Sequence, residues 1–367
     1  MNERGTALIA TLSIAMILLP LGAFVALQCR TDLMIQRNLR EEVETFYVAE
    51  AGLEHALADI GSPQSLDDIL TGPDRVPATA DDGLFPFIEG PSGDFPRPPF
   101  RYEVQVTRNG SGVMRLSSQA SGPHGTLKIV AANVMRSPLV STPGSLYVEG
   151  DVTHIDLGDA GFVLSGVDHR ADGTLSNDAA DTPIPALATP DPDAGSLLRE
   201  QLVNRGGERL VGAGGNPSVA TTPALDIQRY ASRLIGRPDR VTLPAVAAQD
   251  LIVGTADAPQ LTVADGDVAI SGSLSGSGIL VIPGALTVTG RLAFTGLILS
   301  MGGMVFTHES NVVITGALWR AEGQDQRLQL QGTGSVAYSS RALATVDSAF
   351  PGLLPHAVIV TGWQEQL

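Results

Sequence analysis

The stretch that decides the fold is residues 6–28, TALIATLSIAMILLPLGAFVALQ. It contains no charged residue, and at 1.5 Å per residue a helix of this length crosses the roughly 30 Å hydrocarbon core of a membrane. The sequence therefore predicts a transmembrane helix over residues 6–28. Pro20 lies inside this helix, where its missing N–H and its ring predict a kink or a local loosening.

The helix is predicted to continue beyond the membrane. Residues 30–60 place apolar side chains at helical spacing, with arginines and glutamates between them. Gly61-Ser62-Pro63 supplies the stop, since glycine suits a helix C-terminus and proline cannot continue the helix. One helix over residues 6–60 would be about 80 Å long. A plain membrane anchor followed by a coiled stalk is an alternative interpretation of this segment alone.

Residues 1–5 form a short leader before the apolar run. A secretory signal is disfavoured, because bulky or polar residues precede Cys29 where a cleavage site needs small ones. A lipidated Cys29 is disfavoured as well, because Gln28 precedes it. Arg4 is the leader's only cationic residue and Glu3 offsets it, so charge says little about orientation. We expect the N-terminus inside, because the remainder of the chain has the character of an exported protein.

Two motifs carry a family resemblance. Arg4-Gly5 followed by residues 6–9 resembles the cleavage site of type IV prepilins, and Asn38 with FYVAEAGLE at residues 46–54 resembles the signature of PilX-type pilus assembly proteins. The resemblance implies cleavage after Gly5 by a prepilin peptidase, methylation of Thr6, and packing of the helix in a filament. The residues expected to pack there are Leu8, Ile9, Ala10, Ile35, Leu39, Val43, Phe46, Glu50 and Leu53.

One position departs from the major pilins. These carry a glutamate at the fifth mature position, where this chain has Ala10. That carboxylate is thought to pair with the terminal amine of a neighbouring subunit. Because it lacks this glutamate, the chain resembles the minor pseudopilins at a filament tip, which implies a subunit present in few copies.

Composition fits an exported structural protein. The net charge of −16 and the pI near 4.7 disfavour a nucleic-acid partner, because phosphate binding needs clustered lysine and arginine. With Cys29 as the single cysteine, the chain can form neither an internal disulfide nor a cysteine zinc site. The exported part must therefore fold on its apolar core.

Residues 61–137 are predicted to be a loop followed by a small sheet. Turn formers dominate as far as Pro99, and Asp74, Asp81 and Asp82 in this loop are weak candidates for calcium ligands. Alternating strands follow at 100–106, 113–118 and 126–135, which predicts three antiparallel strands. Their position after the long helix resembles the small sheet of pilins.

Residues 138–367 are predicted to form a β-rich domain, so the fold class is α+β. Short apolar runs ending in glycine recur, and Gly272, Gly290 and Gly316 are spaced as the coils of a solenoid would be. This pattern favours a parallel β-helix over an irregular β-sandwich. Residues 168–244 are rich in proline, glycine and aspartate. They indicate an insertion beside the solenoid, with short helices at 195–203 and 224–234.

The sequence offers no catalytic constellation, and we expect no enzyme and no cofactor. The six histidines lie far apart and no Gly-x-Ser-x-Gly motif occurs. Asp265 and Asp267 could act as paired carboxylates on a solenoid, but their Ala-Asp-Gly-Asp context is typical of a turn.

The resemblance and the composition together predict a structural minor pilin-like subunit of a type IV pilus or related secretion filament, acting in assembly priming or adhesion. Its expected partners are other pilins and minor pilins, the prepilin peptidase and the inner membrane. Before assembly the chain would cross the inner membrane once, and afterwards it would lie in the pilus, at its tip. A surface or polysaccharide ligand is possible for the solenoid. The alternative is a membrane-anchored β-helix protein that binds or degrades polysaccharide.

Overall fold

The computed structural model describes residues 3–60, 83, 99–108, 113–150, 155–158, 161–176, 178, 182–203, 206–225, 227–321, 327–351 and 353–366. The calcium candidates Asp74, Asp81 and Asp82 lie outside these residues. The chain divides into two units. The first comprises residues 1–58, 69–135 and 360–367, and the second comprises residues 59–68 and 136–359.

Four helices and twenty-one strands make up the described part of the chain. The helices are α1 (Glu3–Ile60), α2 (Pro192–Val203), α3 (Ile227–Ile235) and α4 (Ser340–Ala349). The strands are β1 (Arg101–Arg108), β2 (Val113–Ser121), β3 (Leu127–Val140), β4 (Leu146–Val148), β5 (Val163–Ser165), β6 (Leu187–Thr189), β7 (Leu210–Val211), β8 (Val219–Thr221), β9 (Val241–Leu243), β10 (Val246–Ala247), β11 (Leu251–Val253), β12 (Gln260–Ala264), β13 (Val268–Ile270), β14 (Ser273–Ile282), β15 (Leu286–Val288), β16 (Arg291–Ser300), β17 (Met304–Phe306), β18 (Asn311–Arg320), β19 (Leu328–Leu330), β20 (Thr333–Tyr338) and β21 (His356–Gln366).

The long helix predicted from the N-terminal sequence is confirmed. Helix α1 has 58 residues and is therefore about 87 Å long. It begins at Glu3, three residues before the apolar run, and its helical assignment continues through Pro20. It ends at Ile60, where the Gly61-Ser62-Pro63 stop begins.

The small sheet of the first unit is antiparallel, as the sequence predicts. Strand β1 pairs with β2, and β2 pairs with β3, in the order β1-β2-β3-β21. The fourth strand comes from the end of the chain, which the sequence analysis did not foresee. Residues 141–355, between β3 and β21, are thus inserted between two neighbouring strands of one sheet.

The second unit is a parallel β-solenoid, which excludes the β-sandwich alternative. Its strands form a twelve-stranded sheet and a five-stranded sheet, and the strand pairs described in them are parallel. Strands β10, β13, β15, β17 and β19 stack along one side of the coils. The long strands β14, β16 and β18 stack residue for residue along the other.

A column of glycines bends the long strands. Gly278, Gly296 and Gly316 pair with one another across β14, β16 and β18. Their φ angles are 132°, 129° and 140°, a backbone region that favours glycine. A Cβ on Gly296 or Gly316 would overlap the carbonyl oxygen of the glycine in the preceding coil. The column therefore makes a close-packed corner that larger residues cannot occupy.

The repeat read from the sequence needs one correction. Gly272 and Gly290 do occupy equivalent positions, because the strands that follow them pair from their first residues. Gly316 does not belong with them, since it pairs with Gly296 in the bend of the strand. The residue equivalent to Gly290 in the next coil is Ser310. Each coil has more than one glycine corner, so the spacing of glycines in the sequence assigned residues of two different corners to one column.

Burial along each long strand changes at the glycine bend. In β16, buried and more exposed side chains alternate up to Thr295, while all residues from Gly296 to Ser300 are buried. Alternation means that one face of the strand meets solvent, and continuous burial means that both faces are covered. Helices α3 and α4 supply the cover, through Ile227, Tyr230, Ala231, Leu234, Leu343 and Val346.

The solenoid is not built in chain order. Strand β18 pairs with both β20 and β4, and β20 pairs with β5. Strand β4 continues the stack to β6 and β8, and β5 continues it to β7. Residues 168–244, which the sequence indicates as an insertion beside the solenoid, thus contribute β6, β7, β8 and β9 to the coils themselves. Its predicted short helices are present as α2 and α3.

Candidate filament-packing helix

The N-terminal half of α1 carries the largest apolar surface of the described chain. Its described side chains from Leu12 to Arg40 are all exposed. They include Leu12, Ile14, Met16, Ile17, Leu18, Leu19, Leu21, Phe24, Val25, Leu27, Leu33 and Met34. By length and composition, α1 is the one helix among the described residues that could cross a membrane. A surface of this kind in a folded chain marks a membrane or protein contact.

The packing residues predicted from the sequence divide into four groups. Ile35, Leu39 and Val43 are exposed, and Phe46 and Glu50 are half-buried. Leu53, in contrast, is 1% exposed and lies in the core of the first unit. It faces inward because it lies on the helix face that the sheet covers. Side chains of Gly5, Thr6, Leu8, Ile9 and Ala10 lie outside the described part, although their backbone belongs to α1.

The Ala49-Glu50-Ala51-Gly52-Leu53 segment has a structural explanation. Ala49, Gly52, Leu53 and Ala56 are buried and recur three and four residues apart, on one face of the helix. A Cβ on Gly52 would lie 2.5 Å from Ser118 Oγ and 2.7 Å from the Tyr102 ring. Small residues therefore let α1 approach the sheet closely. Glu50 is half-buried and does not belong to this face.

Charged side chains surround the point where α1 meets the sheet. Arg37 Nε donates to Glu41 Oε1 at 2.8 Å, and Arg40 Nε donates to Glu44 Oε1 at 2.7 Å. His124, in the turn after β2, lies 3.1 Å from Glu41 through Nδ1. Exposed pairs of this kind are screened by water and contribute little to stability. Their effect is to satisfy both arginines within the helix.

Several polar side chains of the solenoid bind its own backbone. Asp168 Oδ1 accepts the Ser340 N–H at 2.8 Å, and Ser339 Oγ accepts the Ala342 N–H at 3.1 Å, so both side chains cap the start of α4. Asp267 Oδ1 accepts the Ala285 N–H of the next coil at 2.8 Å. Asp265 is exposed beside it. Within the described ranges, no group of three or more His, Cys, Asp or Glu residues could hold a metal ion.

The buried tyrosines are structural. Burial raises the pKa of Tyr147 to about 12, and its hydroxyl accepts the Leu225 N–H at 3.1 Å. Burial also raises the pKa of Tyr230, whose ring lies 5.9 Å from that of Trp319. Phenols with raised pKa values stay protonated at neutral pH and do not act as bases. These residues pack the outer layer of the solenoid.

Sequence reasoning missed the aromatic contact between the two ends of the first unit. Trp363 on β21 lies 5.9 Å from the Phe46 ring, at an interplanar angle of 79°. Phe46 in turn lies 5.8 Å from Tyr47. The alternating residues of 356–366 could have indicated a strand. Its pairing with β3, more than 200 residues earlier, had no signal in the sequence.

The chain has little similarity to known proteins. No protein-family model matches the chain, and no curated protein sequence matches it. Among solved structures the chain is similar to one described as the crystal structure of competence-associated pilin ComZ from Thermus thermophilus, with 11% identity and a TM-score of 0.27. The match covers 89% of this chain and 98% of that chain.

Proposed function

We propose that the protein is a structural, non-catalytic minor pilin-like subunit of a type IV pilus or related secretion filament. The observation that carries the proposal is the division of α1. Its C-terminal half is fixed to a small antiparallel sheet through Gly52, while its apolar N-terminal half has no cover within the described chain. A subunit held first in a membrane and then in a helical filament needs both halves. The Gly5-Thr6 and 49–53 motifs support the same assignment.

The expected role is priming of assembly, adhesion, or both, in few copies. Ala10 supports a low copy number, because it lacks the carboxylate that pairs subunits in bulk filaments. We place the chain in the inner membrane before assembly, with its N-terminus inside, and in the pilus, at its tip, afterwards. Its partners are then the prepilin peptidase, other pilins and minor pilins. The solenoid is the part that such a subunit presents outward.

Mass spectrometry of the protein isolated from its native membrane tests this function. We expect a chain that begins at N-methylated Thr6 rather than at Met1, because the peptidase cleaves after Gly5. An intact Met1 would contradict the pilin assignment and support the membrane-anchored polysaccharide-binding alternative.

A substitution at the cleavage site should stop processing. We expect Gly5→Val to leave the full-length precursor in the membrane and to remove the chain from sheared filaments, because a branched side chain blocks the peptidase at the scissile bond. Gly22→Val is the matched control, since Gly22 lies in the same apolar run and a Cβ there has no neighbour within 4 Å. Normal filament incorporation of Gly5→Val would count against the scheme.

A further inference from the structure

Among the described residues, no strand pairs with the outer edge of the last strand, β21. Strand β21 has 11 residues and lies at the end of the order β1-β2-β3-β21. Its sequence, HAVIVTGWQEQ, contains neither proline nor lysine. Its one acidic residue, Glu365, is paired with Lys128 at 3.1 Å. Natural edge strands are usually short, charged or interrupted by proline, because a long apolar edge pairs with other strands.

Both faces of this edge expose apolar side chains. Val360 and Trp363, on opposite faces of β21, are 46% and 49% exposed. On α1 the Phe46 ring lies 5.9 Å from the Trp363 ring, and the exposed Val43 and Tyr47 are neighbours of Phe46 on the helix. We call these five residues the β21 patch. Exposed apolar side chains on both faces of a strand edge that is unpaired among the described residues form the kind of surface that β-strand addition uses.

The other edge of the sheet is not equivalent. On β1, the Val106 N–H donates to the Gly83 carbonyl at 2.7 Å, so a segment of the same chain already occupies that edge there. Its side chains alternate between buried residues, such as Val104, and exposed polar ones, such as Glu103 and Gln105. Within the part of the chain that the structure describes, only the β21 edge combines unpaired backbone groups with exposed apolar side chains on both faces. The sheet can therefore accept one additional strand, at the β21 edge.

The charges around the β21 patch indicate which kind of partner would bind there. Glu50 and Glu54 follow the patch residues on α1, while Arg37 and Arg40 are already paired with glutamates of the same helix. The chain as a whole carries a net charge of −16. A second copy would place like charges together, whereas an apolar strand flanked by basic side chains would complement them.

We propose that the β21 edge is the docking site for an edge strand of a second, different pilin-like subunit. That strand extends the four-stranded sheet to five and covers Val360, Trp363 and Tyr47. This inference rests on the proposed function, since it names the partner of a filament subunit. It goes beyond that function because it places the contact on the sheet and not on the N-terminal half of α1.

Photo-cross-linking of the full chain in its native cells tests the proposal. Gln364 is exposed on β21, and we replace it with p-benzoylphenylalanine. We expect one cross-linked product, which mass spectrometry identifies as this chain joined to another pilin-like subunit. The same probe at Asn311, an exposed position of β18 in the solenoid, should not give that product. A product with a second copy of this chain, or with a protein that is not pilin-like, overturns the proposal.

A charge placed on the edge should prevent docking. We expect Val360→Lys to lower the cross-linked product about tenfold or more, because a lysine must be desolvated under the added strand. Val313→Lys is the matched control, since Val313 is 40% exposed on β18, an inner strand of the solenoid sheet. Equal yields from Val360→Lys and the unsubstituted chain overturn the proposal.

The failure of this proposal can be told apart from a failure of the proposed function. Thr6 methylation and recovery of the chain in sheared filaments are measured in the same cells. If both are found and Gln364 gives no product with a pilin-like subunit, the edge proposal fails and the filament function stands. If Thr6 is not processed, the filament function fails, and the edge proposal fails with it.

Discussion

Replacing Gly316 by alanine should destabilise the solenoid by roughly 3–5 kcal/mol. At Gly316 the φ angle is 140°, which an L-residue adopts only with strain, and a Cβ would overlap the carbonyl oxygen of Gly296. That oxygen belongs to a neighbouring coil, so relief requires the stack itself to open. We expect the thermal midpoint of the full chain in detergent, followed by β-sheet circular dichroism, to fall by roughly 10 °C.

Gly266→Ala is the control for that substitution. Gly266 also lies in the solenoid, but a Cβ there has no neighbour within 4 Å, and its φ is not in the glycine-favouring region. We expect its midpoint to match that of the unsubstituted chain, because adding a methyl group in open space costs little. If Gly316→Ala and Gly266→Ala unfold at the same temperature, the glycine corner is not the tight contact described above.

Gly52→Ala should destabilise the first unit, by up to about 2 kcal/mol. Two effects compete at this position. Alanine is the better helix former by about 1 kcal/mol. Overpacking a buried contact costs about 1–3 kcal/mol, and the Tyr102 ring has little room to retreat, since its hydroxyl lies 2.9 Å from His55 Nδ1. Hydrogen–deuterium exchange of peptides from residues 113–121 measures the change, because β2 lies directly under Gly52.

Ser118→Ala tests whether the close approach is the cause. The Ser118 hydroxyl is fully buried and forms no hydrogen bond among the described residues, so its removal alone should cost little. In the double variant with Gly52→Ala, we expect part of the lost protection to return, since the nearest overlapping atom is gone. Strictly additive effects of the two substitutions would show that Gly52 and Ser118 do not press on each other.

The N-terminal helix and the small sheet were largely predictable because their signals are local. An uncharged run of 23 residues and the stop at Gly61-Ser62-Pro63 set the limits of α1 to within three residues. Apolar and polar residues that alternate between turn-forming residues indicated strands β1, β2 and β3. Which residues of α1 face the sheet was harder to predict. Leu53 and Phe46 are both apolar, yet only the sheet decides that Leu53 is buried and Phe46 half-buried.

In the solenoid, the sequence predicted the class of fold but not the register. Apolar runs that end in glycine are compatible with any stacking order of the coils, and each coil has several glycine corners. The spacing could not separate the column of Gly290 from that of Gly316, because the coils differ in length between corners. Pairing of backbone groups between coils sets the register, and this pairing leaves no short-range pattern.

By itself, the sequence determined what each segment can do over a few turns or strands: span a membrane, lie flat against a sheet, or bend at a glycine. The tertiary structure alone decided which distant segments meet. It placed β4 against β18 and β5 against β20, built strands β6 to β9 into the coils, and returned β21 to β3. The physical reason is that helix formation and turns depend on neighbouring residues. Strand pairing depends instead on backbone hydrogen bonds, which any sequence can form. The burial of whole apolar faces then decides which of the possible strand pairings is adopted.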